Sequence, residues 1–207
     1  MKIIEPIYPI SPSNLDFKNI EKWFKSLLDQ GAKFLQYREK EKNDFELFSN
    51  SEKLLKICES YKATLVINDR ADIAYILNAK CLHIGDKDIP FCEVKKLLGK
   101  KPLIGVSTHS YKEAKFYFSK SPYYIALGPI FQTTTKENPH PIVPIKTQKK
   151  VIKESPHPVV AIGGITLSTA EQLWQRGFSS ISAISIFKEN GAKTYKELLR
   201  IYQSLQF

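Results

Sequence analysis

The chain of 207 residues is long enough for a buried core, and its 43% hydrophobic and 25% charged residues are ordinary for a globular protein. No apolar run approaches the roughly 20 residues that span a bilayer, and the N-terminus lacks the basic flank and apolar stretch of a signal peptide. We therefore expect a cytoplasmic protein that makes no membrane contact.

The net charge of +10 admits nucleic acid, a membrane surface or an acidic substrate as a partner. The lysines, however, are scattered along amphipathic segments, and the chain has no basic tail, zinc-finger or RNA-binding motif. We expect no nucleic-acid partner and attribute the charge to a solvated surface and one site for an anionic ligand. The sequence leaves a homo-oligomer open.

The three cysteines, Cys58, Cys81 and Cys92, include no CxxC pair. A disulfide framework or a cysteine-based zinc site is therefore not expected, and we interpret them as buried or bystander thiols. The four histidines show no HExxH-type spacing.

In chain order, short β-branched or aromatic runs alternate with longer amphipathic stretches. Eight strands are predicted, at residues 7–10, 33–38, 64–68, 81–85, 103–107, 123–128, 159–164 and 180–185. The clearest helical spacing covers residues 17–29, 45–60 and 190–205, and the predicted helix caps are Asn43–Asp44, Ser110, Ser168 and Gly177. This pattern favours an α/β fold, a single (β/α)₈ TIM barrel over residues 1–207, with a doubly wound open sheet as the alternative.

The active site of such a barrel lies where the strands end and the following loops begin. By strand alternation, the second strand ends with Gln36, Arg38 and Lys40 on one side and Tyr37 and Glu39 on the other. An amide, a guanidinium and an ammonium group on one side make an anion clamp, and a salt-bridged strand end is the alternative.

Acidic residues follow the next two strands, with Asp69 after the third and Asp86 and Asp88 after the fourth. Each could cap a helix. Asp69 with Asp88, and Asp86 as a further candidate, would equally suit Mg²⁺, which takes a few carboxylates together with waters and substrate phosphates.

Ser107 is the last residue of the predicted fifth strand, and His109 follows it. Ser107 could bind a phosphate or cap a helix, whereas His109 could be a general base, a substrate contact or a solvated loop histidine. No acid at a fixed spacing suggests a Ser–His–Asp triad, so a hydrolase is not expected.

The longest irregular stretch, residues 129–144, carries Thr133, Thr135, Lys136 and several prolines, and we interpret it as a functional loop. Its hydroxyls and its lysine offer donors to a polyanion, although the GxxxxGK[ST] glycines of a Walker loop are missing.

Paired glycines, Gly163 and Gly164, end the predicted seventh strand, and Ile184 and Ser185 end the eighth. These are the usual positions of the phosphate cradle in a (β/α)₈ barrel, because exposed backbone N–H groups bind anions there. A tight turn is the alternative interpretation of the two glycines.

Seven of these motifs, in order over residues 33–187, resemble the thiamine phosphate synthase family. The matching segments are QYREK, VINDRADIA, HIGDKD, GVSTHSYKEA, GPIFQTTTK, VAIGGI and AISIF. The family is a (β/α)₈ barrel that joins a pyrimidine methyl pyrophosphate to a thiazole phosphate and releases pyrophosphate. The resemblance therefore implies a transferase that uses Mg²⁺ and acts in thiamine biosynthesis.

The resemblance also implies a role for each matching residue. The pyrimidine pyrophosphate would be held by Gln36, Arg38, Lys40, Asn68 and Lys136, and Mg²⁺ by Asp69 and Asp88. Ser107 would lie beside the pyrophosphate, and the thiazole phosphate would be bound by Thr133, Thr135, Gly164, Ile184 and Ser185. The expected catalytic residues are Arg38, Lys40, Ser107 and Lys136, because departing phosphate oxygens need charge neutralisation more than a base.

The chain departs from the family where G-Q-E-D becomes Gly85-Asp86-Lys87-Asp88. The nearest alternative is thiazole tautomerase, an isomerase on the same barrel, because His109 falls where that family has its catalytic histidine. A non-catalytic phosphate-binding regulatory barrel is a further alternative. Asp69 and the Thr133–Lys136 loop favour the synthase, since the tautomerase tends to lose both.

Overall fold

The computed structural model describes residues 4–99, 102–133 and 140–205, in which eight strands alternate with eight α-helices. The strands are β1 Ile7–Pro9, β2 Phe34–Tyr37, β3 Thr64–Asn68, β4 Cys81–Ile84, β5 Leu103–Thr108, β6 Tyr124–Leu127, β7 Val159–Ile162 and β8 Ser180–Ala183. The helices are α1 Phe17–Leu28, α2 Asp44–Ser60, α3 Ala71–Ile76, α4 Phe91–Leu98, α5 Tyr111–Tyr117, α6 Ile145–Glu154, α7 Leu167–Arg176 and α8 Gly191–Ser204. A short 3₁₀ helix, Ser185–Phe187, precedes α8.

All strand pairs are parallel, and the strands follow the order β1-β8-β7-β6-β5-β4-β3-β2. The ring closes between β1 and β2, where Ile10 bridges Gln36 and the Ser11 N–H donates to the Gln36 carbonyl at 2.9 Å. This closure confirms the predicted (β/α)₈ barrel over the open sheet. None of the described helices is long and apolar enough to cross a bilayer.

Strand alternation divides the buried side chains into two groups. The larger core lies between the strands and the surrounding helices and includes Leu35 and Tyr37 of β2. The smaller one consists of Ile4, Tyr8, Phe34, Val66, Cys81, Tyr124, Ala126 and Val160. Consecutive residues of β2 thus belong to different clusters, because side chains along a strand point alternately to its two faces. The smaller cluster fills the interior of the barrel, so packed side chains close off the space below the strand ends.

Side-chain caps define several of the helix starts. Asn43 and Ser110 cap α2 and α5 as predicted, and Gly177 ends α7 with φ of 104°. The predicted cap at Ser168 is wrong, because α7 begins at Leu167 and Thr166 is its N-cap residue. The Thr166 N–H donates to Thr169 Oγ1 at 2.9 Å, which satisfies an otherwise unpaired group at the start of the helix.

Two of the cysteines, Cys58 and Cys81, are buried and one, Cys92, is exposed, and all three are free thiols. Burial raises the pKa of the Cys58 thiol to about 12 and also raises that of Cys81. Thiols held protonated are poor nucleophiles. The interpretation of Cys58 and Cys81 as buried thiols is therefore confirmed.

A glycine inside β5, Gly105, makes room for the ring of Tyr124. A Cβ on Gly105 would lie 2.0 Å from Tyr124 Cζ, so Gly105→Ala forces this buried ring to move. Overpacking of this kind costs about 1–3 kcal/mol. We expect urea denaturation to show a lower midpoint for Gly105→Ala. Gly191→Ala is the matched control, since its Cβ would meet no atom closer than 3.5 Å, and equal midpoints for the two variants would contradict the prediction.

Candidate active site

Two adjoining cavities open at the carboxyl ends of the strands. We name the first the acidic cavity because Asp69, Asp86 and Asp88 line it. The second is the glycine cavity because Gly128, Gly163 and Gly164 line it. The residues that line both cavities are Arg38, Ser107, His140, Ile162 and Ile184. Ligands bound in the two cavities would therefore contact some of the same residues.

Arg38 is held between the two cavities by the segment after β1. Its backbone N–H donates to Ser11 Oγ at 2.9 Å, and its guanidinium Nη1 donates to Ser13 Oγ at 3.1 Å. Lys40 lies further along the same side and ion-pairs with Asp69. Glu39 points to the other side, and its carboxylate accepts hydrogen bonds from the backbone N–H groups of Asn14 and Lys40. The alternation predicted for this strand end is therefore confirmed.

Gln36 has the predicted direction but lies deeper than the two cavities. Its side chain is 1% exposed, and its amide nitrogen donates to the Tyr8 hydroxyl. It lines neither cavity. The pyrimidine-binding role that the resemblance gives to Gln36 stays a prediction.

Asp69 and Asp88 meet in the acidic cavity. Asp69 has φ of 62°, a left-handed conformation that is rare for a residue with a side chain. The helix that follows is capped at Arg70 without a side-chain hydrogen bond, so Asp69 does not cap it. Burial raises the pKa of Asp88, and a hydrogen bond with Asp69 raises it further. The two carboxyl groups are therefore neighbours.

The loop after β4 fixes the Asp88 carboxylate and places that of Asp86 beside a histidine. Asp88 Oδ2 accepts the Gly85 N–H at 2.6 Å, which holds the loop tightly folded. The Asp86 carboxylate lies 3.5 Å from Nε2 of His140. Asn68, the last residue of β3, also lines the acidic cavity. Paired carboxylates with a nearby amide are donors that suit a hard divalent cation.

A chain of hydrogen bonds crosses the barrel interior below the cavities. It runs from Gln36 to the Tyr8 hydroxyl, then 2.9 Å to the Tyr124 hydroxyl, and 2.8 Å on to Nδ1 of His83. His83 Nε2 lies 2.9 Å from Ser107 Oγ, where the chain reaches both cavities. Burial raises the pKa of both tyrosines well above the usual value, so both hydroxyls stay protonated. Ser107 therefore has a fixed, buried support.

The structure excludes one of the roles left open for each of Ser107 and His109. Ser110, and not Ser107, caps α5, so Ser107 does not cap this helix. His109 Nδ1 lies 2.5 Å from the Gly128 carbonyl, and its ring stacks on His140 with centroids 3.6 Å apart. His109 is therefore a fixed wall of the glycine cavity and not a solvated loop residue.

The two glycines after β7 are required by the loop after β6. Gly163 and Gly164 have φ of 97° and 67°, and a Cβ on Gly164 would lie 2.2 Å from the Gln132 carbonyl oxygen. The Phe131 N–H donates to the Gly163 carbonyl at 3.0 Å. Within the described ranges, no backbone oxygen accepts the Gly164 N–H. The tight turn therefore exists, and it leaves a donor beside the glycine cavity.

The remaining predicted residues of the glycine cavity are partly described. Thr133 and Ser185 line it together with Gly164 and Ile184. Thr135 and Lys136 lie outside the described residues, so their predicted roles stay predictions.

Sequence reasoning left several residues at these cavities without a role. Tyr8, Tyr124 and His83 were predicted only as parts of strands, because their hydrogen bonds join residues 41 to 116 positions apart. His140 lies in the long loop that was interpreted as functional. Its position in a proline-rich segment was the signal that could have identified it.

Comparison with known proteins agrees with this geometry. The sequence profile of the thiamine monophosphate synthase family matches residues 7–187. The thiamine-phosphate synthase of Caldicellulosiruptor bescii is 36% identical over 184 residues, covering 88% of this chain and 84% of that protein. The enzyme of Clostridium acetobutylicum is 38% identical over 169 residues, covering 82% and 78%.

A solved structure extends the similarity to the fold. The thiamine phosphate pyrophosphorylase of Pyrococcus furiosus superposes with a TM-score of 0.85 at 25% identity, and the match covers 98% of this chain and 97% of that one. The residues matched by the family profile include all eight strands and the residues that line both cavities. The chain therefore belongs to the thiamine monophosphate synthase family.

Proposed function

We propose that this chain is a thiamine phosphate synthase, which joins a pyrimidine methyl pyrophosphate to a thiazole phosphate. The observation that carries the proposal is the pair of adjoining cavities that share Arg38 and Ser107. One cavity is lined by carboxylates and the other by glycines and hydroxyls. Two anionic substrates that must react with each other need such neighbouring sites.

The acidic cavity would hold Mg²⁺ and the pyrophosphate. The donor set supports this assignment, since Mg²⁺ prefers one or two carboxylates together with substrate phosphates. Asp69 and Asp88 are close enough for one to raise the pKa of the other, and a cation between them would relieve this repulsion. When bound, Mg²⁺ would neutralise charge on the leaving pyrophosphate.

The glycine cavity would hold the thiazole phosphate. Support comes from the Thr133 side chain after β6, the Gly164 N–H after β7 and the Ser185 side chain after β8. This is the usual phosphate position in (β/α)₈ barrels. Thr135 would add a hydroxyl to this cavity, and Lys136 would add a positive charge for the pyrophosphate of the neighbouring cavity, as the family resemblance implies.

In the proposed reaction, the bond between the pyrimidine methyl carbon and the pyrophosphate oxygen breaks, and the oxygen keeps the electron pair. The thiazole nitrogen then donates its lone pair to that carbon. Arg38 and Lys40 would neutralise the departing oxygens, and Ser107 would donate a hydrogen bond to them. The buried chain through His83 keeps Ser107 in one orientation, so little reorganisation is needed during the step.

The two alternative functions predict different products. A thiazole tautomerase would aromatise the thiazole phosphate without a pyrophosphate partner, and a regulatory barrel would bind phosphate without turnover. The contact of Asp69 with Asp88 supports the synthase, because neither alternative needs a site for Mg²⁺ and pyrophosphate.

The single-domain organisation, the cytoplasmic location and the homo-oligomer left open by the sequence stay predictions.

An assay with both phosphorylated substrates separates the three functions. We expect pyrophosphate and thiamine phosphate to appear in equal amounts with Mg²⁺, and neither to appear with a chelator. Isomerisation of the thiazole phosphate without pyrophosphate release would contradict the synthase and favour the tautomerase. Phosphate binding with neither reaction would favour the regulatory barrel.

A further inference from the structure

Two imidazoles and a carboxylate meet at the mouth of the barrel, apart from the Asp69–Asp88 pair. They belong to Asp86, His109 and His140, and one potential ligand atom from each lies within 4.8 Å of the others. We propose that these three residues form a second metal site, for a divalent transition-metal ion such as Zn²⁺ or Co²⁺. The site lies beside the proposed substrate cavities, but its donor set does not depend on the proposed function.

His109 has the support that metal-binding histidines usually have. Its Nδ1 lies 2.5 Å from the Gly128 carbonyl oxygen, and a carbonyl can only accept a hydrogen bond. Nδ1 therefore carries the ring proton, and Nε2 carries the lone pair that a metal needs. A histidine ligand commonly donates its second nitrogen to a backbone carbonyl in this way, which fixes the orientation of its ring.

His140 and Asp86 are already close to the spacing of two ligands. His140 Nε2 lies 3.5 Å from Asp86 Oδ2. Donors about 2.1 Å from a tetrahedral ion lie roughly 3.4 Å apart. The His140 ring, which stacks on that of His109, would have to tilt for a nitrogen of each ring to reach one ion. The exposed Asp86 carboxylate can follow, because it is on a surface loop.

The donor types separate this site from the proposed Mg²⁺ site. Imidazole nitrogens favour Zn²⁺, Co²⁺ and Ni²⁺, whereas Mg²⁺ favours oxygen donors alone. Asp69 and Asp88 offer only oxygens. Three protein ligands also leave one position of a tetrahedral ion open for a water or another ligand.

The carboxylate of the site is also where this chain departs from its family pattern. Asp86 replaces the glutamine of G-Q-E-D, and the proposed site combines it with His140 from the loop after β6 and His109 from the loop after β5. A glutamine would offer no charge to offset that of the ion. Asp86→Gln therefore restores the family residue and removes the proposed ligand in one step.

Cobalt binding tests the site directly. The full chain, stripped with a chelator and dialysed into excess Mg²⁺, is titrated with Co²⁺ and followed by its visible absorption and by calorimetry. We expect about one Co²⁺ per chain, a band typical of four- or five-coordinate Co²⁺ with imidazole ligands, and its displacement by Zn²⁺. In Asp86→Gln and in His140→Gln, we expect affinity to fall at least about tenfold.

Two controls make the outcome decisive. His157→Gln removes a histidine that contacts the Phe118 carbonyl at the opposite end of the barrel, and it should leave Co²⁺ binding unchanged. Asp88→Asn removes a carboxylate of the proposed Mg²⁺ site but keeps an oxygen that can accept the Gly85 N–H, so the loop that carries Asp86 and the binding of Co²⁺ should be unchanged. Circular dichroism checks that each variant is folded. Absence of Co²⁺ binding in the wild-type chain would overturn the proposal, as would binding that survives in His140→Gln or is lost only in Asp88→Asn.

Discussion

Replacing Asp88 by Asn is expected to lower turnover about 10²–10³-fold, the typical effect of removing one group that stabilises charge in the transition state. The variant should be at least as stable as the wild-type chain. Asp88 is half-buried, and burial and Asp69 both raise its pKa, so its ionised form opposes folding. Asparagine has nearly the same shape and removes that charge. Loss of activity with unchanged or higher stability distinguishes a functional carboxylate from a structural one.

The sign of the pH dependence follows from the same shift. A raised pKa means that the folded chain binds this proton more tightly than the unfolded chain does. The stabilisation from that proton is therefore complete below the unfolded pKa, near 3.9, and is lost as the pH rises through the raised folded value. In Asp88→Asn this part of the pH dependence should be absent. Urea denaturation of both proteins from about pH 4 to pH 7 measures it.

Asp72→Asn is the matched control. Asp72 is exposed, and its ion pair with Arg70 lowers its pKa, so the charge stabilises the folded chain. Its loss should leave turnover unchanged and reduce stability by no more than about 1 kcal/mol, because solvent screens the pair. Mg²⁺ should raise the melting temperature of Asp72→Asn but not that of Asp88→Asn. Full turnover by Asp88→Asn would contradict the proposed metal site.

Replacing Arg38 by Met is the second change with a large expected effect. Methionine keeps an unbranched side chain but removes the charge and the donors shared by the two cavities. We expect kcat/KM for the pyrophosphate substrate to fall about 10²–10³-fold. Arg38→Lys should recover only part of this loss, because an ammonium group keeps the charge but cannot form the planar fork of a guanidinium.

Arg176→Met controls for the loss of a positive charge. Arg176 hydrogen-bonds to Gln148 and Gln172 at the far end of α7, away from both cavities. Its replacement should leave kcat/KM within about twofold of the wild-type value. Steady-state kinetics at saturating thiazole phosphate compare the three variants. Equal losses in Arg38→Met and Arg176→Met would show that general electrostatics, and not contact with the substrate, explains the effect.

The barrel was predictable because its signals are local and repeat. Each strand is a short β-branched or aromatic run, and a cap such as Asn43 or Ser110 is a single residue beside a periodic segment. The error at Ser168 has a local cause as well, since Thr166 and Ser168 are both good capping residues and lie two positions apart. Sequence cannot easily rank such competitors.

The candidate site was predictable in part for a topological reason. Parallel strands of a barrel all end at one rim, so polar residues at strand ends must meet there. Arg38, Asp69 and Asp88 were found by this rule. The rule did not predict the depth of Gln36. A side chain on the correct side of the strand can lie below the cavities, and that of Gln36 hydrogen-bonds to Tyr8 there.

By itself, the sequence determined the fold, the family and the rim at which the acids, the arginine and the glycines gather. Only the tertiary structure decided which of them touch. The contacting pairs are Asp69 with Asp88, Asp86 with His140, and Ser107 with His83. In each pair, the two residues come from different strands or loops. Periodicity fixes the side of a strand on which a residue lies. The pairing of groups across the barrel depends on distances between segments that are far apart in the chain.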